Sequence, residues 1–197
     1  MKFREIEEIV NTLVEILCNR EYNTHYEYLM WCLHTTHQLR YAIKELSINH
    51  VLGFIRCLRY VFEIAIQVMF MKQKFNNNED RIIKELKRRE KLGTSFTLKM
   101  IANMREMAGI IKKELTRQYI RLTSYVHPTY TLYTHRSIIN NRLDDNDIKM
   151  IEELFYKTID SVLYIYMRLY NTCEKLCKLC TKYSLSRCSK YCKKSQS

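Results

Sequence analysis

The stretch Tyr119-Ile-Arg-Leu-Thr-Ser-Tyr-Val-His-Pro128 places an arginine, two hydroxyl residues, two tyrosines and a histidine at the end of a helical segment. Pro128 stops that helix. Histidine titrates near neutral pH and can take or give a proton there. Arginine carries a permanent charge on a planar fork that matches a phosphate. Together they suit phosphodiester chemistry. Cleaving RNA with side chains alone requires a deprotonated 2′-hydroxyl and stabilisation of the charge on phosphorus. His127 would be the base or the leaving-group acid, and Arg121 would clamp the phosphate oxygens. Ser124 or Tyr125 would hydrogen-bond the substrate or orient the imidazole.

Spacing sets a condition on that chemistry. Six positions along a regular helix turn about 600°, which leaves Arg121 and His127 about 120° apart on the wheel. An undistorted helix cannot aim both at one phosphate. Pro128 disfavours the α region for His127, so the imidazole swings out of the helical path. Assembly of the site from two copies is the other solution. The competing reading makes His127 a helix-end residue that complements the dipole or bonds a loop carbonyl.

The elements that must position these residues are helical. The chain of 197 residues has only three glycines and one proline, too few for barrels, sandwiches or wound sheets. Ile6, Ile9, Val10, Leu13, Val14 and Leu17 recur at i, i+3, i+4 and predict a helix over residues 1–20. Asn23 or Thr24 caps a second helix to about Leu46, and Ser47 caps a third to about Phe75. Asn76-Asn77-Asn78 is a loop before a short charged helix over 79–91. Gly93 breaks the chain before a long helix over 95–126. Residues 129–143 read as a structured loop, and a last long helix spans 146–183. The expected fold is all-α: a single-domain antiparallel bundle of about five to six helices over 1–183, with a frayed basic, cysteine-containing tail over 184–197.

A net charge of +12, from 33 Lys+Arg against 21 Asp+Glu, favours anionic partners, nucleic acid foremost. No signal-peptide core is visible near residue 1, and Arg56, Arg59 and Glu63 interrupt the longest apolar run, over 51–71. The expectation is a cytoplasmic protein with no membrane contact, whose cysteines are thiols or metal ligands.

Arg59 and Glu63 stand i, i+4 on that apolar helix. Either Glu63 supports Arg121 or His127 from behind, or the two form an intrahelical ion pair. His25, His34 and His37 lie near Cys32, but no complete zinc pattern joins them, and ordinary helix-surface histidines are the favoured reading. Cys173, Cys177, Cys180, Cys188 and Cys192 crowd the last 25 residues. Four thiolates there could hold zinc or an iron–sulfur cluster. An apolar stripe, a disulfide-stapled tail and a basic tail with incidental thiols are the competing readings, and no cofactor is the favoured one. Interleaved Lys175, Lys178, Lys182, Arg187, Lys190, Lys193 and Lys194 make the tail basic and able to track a phosphate backbone. The run Lys84–Lys91 reads as a solvated helix face.

The arginine and histidine, with five residues between them, resemble the R-x4-6-H motif of the HEPN superfamily of all-helical domains. The longer string Tyr-x-x-Leu-Thr-Ser-Tyr-Val-His-Pro is similar to a form of that motif, and Arg59-Tyr-Val-Phe-Glu63 is similar to the R-x-x-x-E of an earlier helix in such proteins. The resemblance covers roughly residues 47–130. Leu122 departs from it, since a polar residue commonly follows the motif arginine. The resemblance implies a metal-independent endoribonuclease, or an RNA-binding relative without catalysis, in a defence or toxin–antitoxin system. It also implies a homodimer with facing motifs and a neutralising protein partner. The alternative is a non-enzymatic basic helical module that binds nucleic acid or an acidic protein.

Overall fold

The computed structural model describes residues 3–91, 97–105, 107–126, 143–170 and 174–195, and every regular element among them is helical. Helix α1 (Phe3–Cys18) buries Ile6, Ile9, Val10, Leu13, Val14 and Leu17, the stripe that the i, i+3, i+4 spacing predicts. Thr24 then caps the next helix, its side chain accepting from the Glu27 amide at 3.1 Å.

The second helix is not regular throughout. It runs as α2 (His25–Tyr28), a π-helical segment (Leu29–Thr35) and α3 (Thr36–Ser47). Within the wider turn Thr35 Oγ1 donates to the Met30 carbonyl, five residues back, at 2.8 Å. The shift turns Trp31, Cys32, Thr35 and Thr36 inward together. Ser47 closes α3 and does not open the next helix, because its hydroxyl donates to the Lys44 carbonyl at 2.7 Å. Asn49 takes a left-handed φ of 57°, and α4 (Val51–Phe75) begins after it. A Cβ at Gly53 would lie 2.7 Å from His50 Nδ1 and meet the Glu45 carboxylate, so those two side chains would have to shift to admit one.

Helix α4 is the axis of the molecule and packs against α3, α6 (Thr97–Asn103), α7 (Gly109–Val126) and α8 (Asp145–Tyr170). No helix among the described residues is long and apolar enough to cross a membrane. Asn76, at φ 47°, ends α4, and Asn78 Oδ1 accepts from the Arg81 amide to cap α5 (Glu79–Lys91).

The helix expected over 95–126 is broken. Helix α6 (Thr97–Asn103) stops, and α7 (Gly109–Val126) restarts on a new line. Met104 and Met107 are both buried in the connection, and the Arg105 amide donates to Gln73 Oε1 of α4 at 3.2 Å. Tertiary burial of the two methionines outweighs helix continuity. Over the stretch expected as the last helix, α8 spans Asp145–Tyr170 and α9 spans Glu174–Lys182. Over its described residues, up to Ser195, the tail is not frayed. Residues Ser186–Ser195 form α10, which turns back through Ser184 (φ 52°) and packs on α8 and α9. Leu185, Cys188 and Cys192 enter the core there. Among the described residues the helices number more than the five to six expected, and one apolar cluster joins Ile6 of α1 to Cys192 of α10.

Candidate functional site

Helix α7 carries Arg121 toward α8, where its Nη2 donates to Glu153 Oε2 at 2.8 Å. The other Glu153 oxygen accepts from Lys157 Nζ, one turn on, at 2.5 Å. Arg121 retains 32% of its side-chain exposure and Glu153 44%, so the pair stands at the rim of the molecule. The hydrogen bonds from Arg121 and Lys157 hold the Glu153 carboxyl at about 2, well below the carboxylate range. The Glu153 carboxylate in turn raises Arg121 further above neutrality.

Tyr125 lies one turn beyond Arg121 and is 5% exposed. Burial pushes its hydroxyl up, while the neighbouring Arg121 pulls it down. Ser124 Oγ donates back to the Arg121 carbonyl at 2.8 Å, a bond within the helix. The Thr123 hydroxyl is buried without a hydrogen-bond partner among the described residues. Helix α7 is described to Val126, and His127 lies outside the described residues. The structure therefore gathers Arg121, Tyr125, Glu153 and Lys157 on one edge, at the end of the helix that leads into His127.

Arg59 and Glu63 meet each other, with Nε to Oε1 at 3.1 Å and 17% exposure on both side chains. The Arg59 guanidinium stands 5.9 Å from the centre of the Tyr119 ring. Burial lowers its pKa, but the Glu63 carboxylate and Tyr119 outweigh that and raise it. Tyr119 and Arg121 are two positions apart and face different neighbours, so the Arg59–Glu63 pair reaches α7 on the α4 side. The carboxylate seen on Arg121 is Glu153, which sequence reasoning did not single out. Its only local signal is the i, i+4 spacing to Lys157; the pairing to Arg121 is tertiary.

A second polar cluster was also missed. Glu27 is 2% exposed, and its Oε1 accepts from Lys72 Nζ at 2.8 Å and from the Tyr170 hydroxyl at 2.7 Å. Trp31 Nε1 donates to the same hydroxyl at 3.1 Å. Lys72 and Arg20 cover the Tyr170 ring at 4.4 and 4.8 Å from its centre.

The cysteine-rich end is a stapled hairpin. Cys177 of α9 and Cys192 of α10 form a disulfide, with 5.7 Å between their Cα atoms. Two of the five candidate metal ligands are therefore bonded to each other, and Cys173 lies outside the described residues. Cys180 and Cys188 are buried thiols, and Cys188 Sγ donates to the Asp160 carbonyl at 3.2 Å. Burial pushes Cys188 far up. Among the described residues no three His, Cys, Asp or Glu side chains gather as a metal site. His25, His34 and His37 are exposed; His25 stacks on Tyr28 and His37 tilts on Tyr41.

Much of the positive charge near the tail is matched. Lys175 pairs with Glu15, Lys178 with Glu174, Lys182 with Glu8 and Arg187 with Glu114. In the charge run, Glu85 takes Lys74, Arg88 and Arg89. No family model, no curated protein and no solved structure matches this chain.

Proposed function

We propose that the chain is an RNA-binding, HEPN-like helical protein whose substrate phosphate meets Arg121, with His127 as the proton-transfer group. The observation that supports this reading is the half-exposed Arg121 guanidinium beside Tyr125, at the end of the helix that runs into His127-Pro128. Glu153 holds the fork in place and is exposed enough for a phosphate to displace it. In the reaction, His127 takes the 2′-hydroxyl proton of RNA. The 2′-oxygen then bonds to phosphorus, the bond to the 5′-oxygen breaks, and that oxygen receives a proton. Arg121 stabilises the charge that develops on the phosphoryl oxygens. The resemblance of the motif supports a homodimer with two such edges facing, and a cellular setting of defence or toxin–antitoxin type with a neutralising partner.

A second reading has one observation in its favour. The Arg121 guanidinium already has a carboxylate partner in Glu153 without any ligand, which suits a basic binding module that does not cleave. Labelled single-stranded and structured RNA, incubated with the protein in EDTA, separates the two. Cleavage by the wild type, reduced ~10²–10⁴-fold in His127→Ala, is the outcome expected of a general acid–base residue. Binding without cleavage by either protein selects the binding-module reading.

A further inference from the structure

Cys18 and Cys32 are poised for chemistry that the RNA reading does not use. Cys18 is the last residue of α1 and is exposed. Cys32 lies in the π-helical segment and is buried. Their sulfur atoms stand 2.8 Å apart, closer than two unbonded sulfurs ordinarily approach. A formed bond would need about 2.05 Å. Cys18 Sγ also lies 3.6 Å from the Cys32 carbonyl, so the thiol already leans across the π turn.

The loop between the two cysteines is ordered. Arg20 donates to the Tyr170 carbonyl at 2.9 Å, and the Tyr22 hydroxyl donates to the Leu17 carbonyl at 2.8 Å. Thr24 caps α2, and Glu27 is locked to Lys72 and Tyr170. Little of this has to move for the sulfurs to close. The buried pair at the other end of the molecule differs, because Cys188 gives its thiol hydrogen to the Asp160 carbonyl.

We propose that Cys18 and Cys32 form a second disulfide by exchange with a low-molecular-weight disulfide of the glutathione class, tying the end of α1 to the π-helical segment. Exposed Cys18 meets the oxidant first. Its thiolate attacks one sulfur of the small disulfide, a mixed disulfide forms, and one small thiolate leaves with the Cys18 proton. Cys32 then attacks the Cys18 sulfur, and the second small thiolate leaves with the Cys32 proton. Two protein thiols are oxidised, and one small disulfide is reduced to two thiols. The π turn, which brings Cys32 inward, is what places it against Cys18.

The test uses the full chain equilibrated in mixtures of reduced and oxidised glutathione, quenched in acid, alkylated with maleimide and digested without reduction. The expected result is a peptide pair linked through Cys18 and Cys32, with both sites protected from alkylation. Melting of the oxidised protein should exceed that of Cys18→Ser by about 6–12 °C, as closure of a loop of this size implies. Cys18→Ser changes an exposed side chain and keeps the fold testable, and Cys32→Ser should give no link at Cys18 to any cysteine of the chain. Four results would overturn the proposal. They are a stable glutathione adduct on Cys18 beside an alkylated Cys32, a link from Cys18 to a different cysteine, a link to a second copy, and alkylation of both sites where the Cys177–Cys192 link persists.

Discussion

Arg121 and Lys72 each hold a carboxylate at 2.8 Å, but in different media. Arg121 and Glu153 stand at the edge of α7 and α8 with 32% and 44% of their side chains exposed. Lys72 and Glu27 lie inside, at 19% and 2%. Water screens the first pair, and its net worth is small. The Glu27 carboxylate has lost its water, so its charge depends on Lys72 and on the Tyr170 hydroxyl. The same distance therefore marks two roles. The rim pair can open to a phosphate at little cost; the buried pair fixes where α2, α4 and α8 meet.

Removing one partner from each pair measures that difference. Glu27→Ala leaves Lys72 and the Tyr170 hydroxyl without their acceptor, and should cost ~3–5 kcal/mol in chemical denaturation. A loss under about 1 kcal/mol would mean that water reaches the site and that the contrast with Arg121 is false.

Asp160 gives an intermediate case. It is 7% exposed on α8, and its carboxylate accepts from the backbone amides of Arg187 and Cys188 in the first turn of α10. It is a cap supplied from another helix. Asp160→Ala should cost ~1–2 kcal/mol, the usual range for a lost cap. The loss should appear as faster amide exchange in α10 before any change in α4.

Glu85 tests the charged helix α5. Its hydrogen bond from Arg88, with Arg89 and Lys74, lowers its pKa to about 2. A folded pKa below the unfolded value of about 4.3 gives stability that is present above that value and lost as pH falls toward 2. Glu85→Gln should flatten the acid limb of the stability curve in that window. Arg88 is 57% exposed, so the effect should be about 1 kcal/mol or less, and smaller in high salt.

These cases also show what the sequence could carry. The stripe of α1, the asparagine corner at 76–78 and the apolar α4 follow from local periodicity and turn chemistry, and the structure repeats them. The π turn does not follow, because it depends on tertiary packing: Trp31 meets Tyr166 and Tyr170 of α8, and Cys32 meets Cys18 of α1. The α6–α7 break depends on burying Met104 and Met107. The α9–α10 hairpin depends on Asp160, more than twenty residues earlier, and on a disulfide that spacing left as one alternative among several. Arg121 was legible as a candidate from its neighbours in the motif. Glu153 was not, since 32 residues of chain separate it from Arg121.

In the function proposed above, Arg121 meets RNA phosphate at the rim. The direct measurement is the dissociation constant of the protein for single-stranded RNA as a function of salt, for wild type, Arg121→Ala and Glu153→Gln. Arg121→Ala should leave stability within about 0.5 kcal/mol of wild type, as a surface change does. It should weaken binding and reduce the salt slope by about 0.7, the share of one phosphate contact on a single strand. Glu153→Gln, which releases the guanidinium, should tighten binding. Equal affinities and equal slopes for all three proteins would contradict the claim and leave Arg121–Glu153 as a surface ion pair.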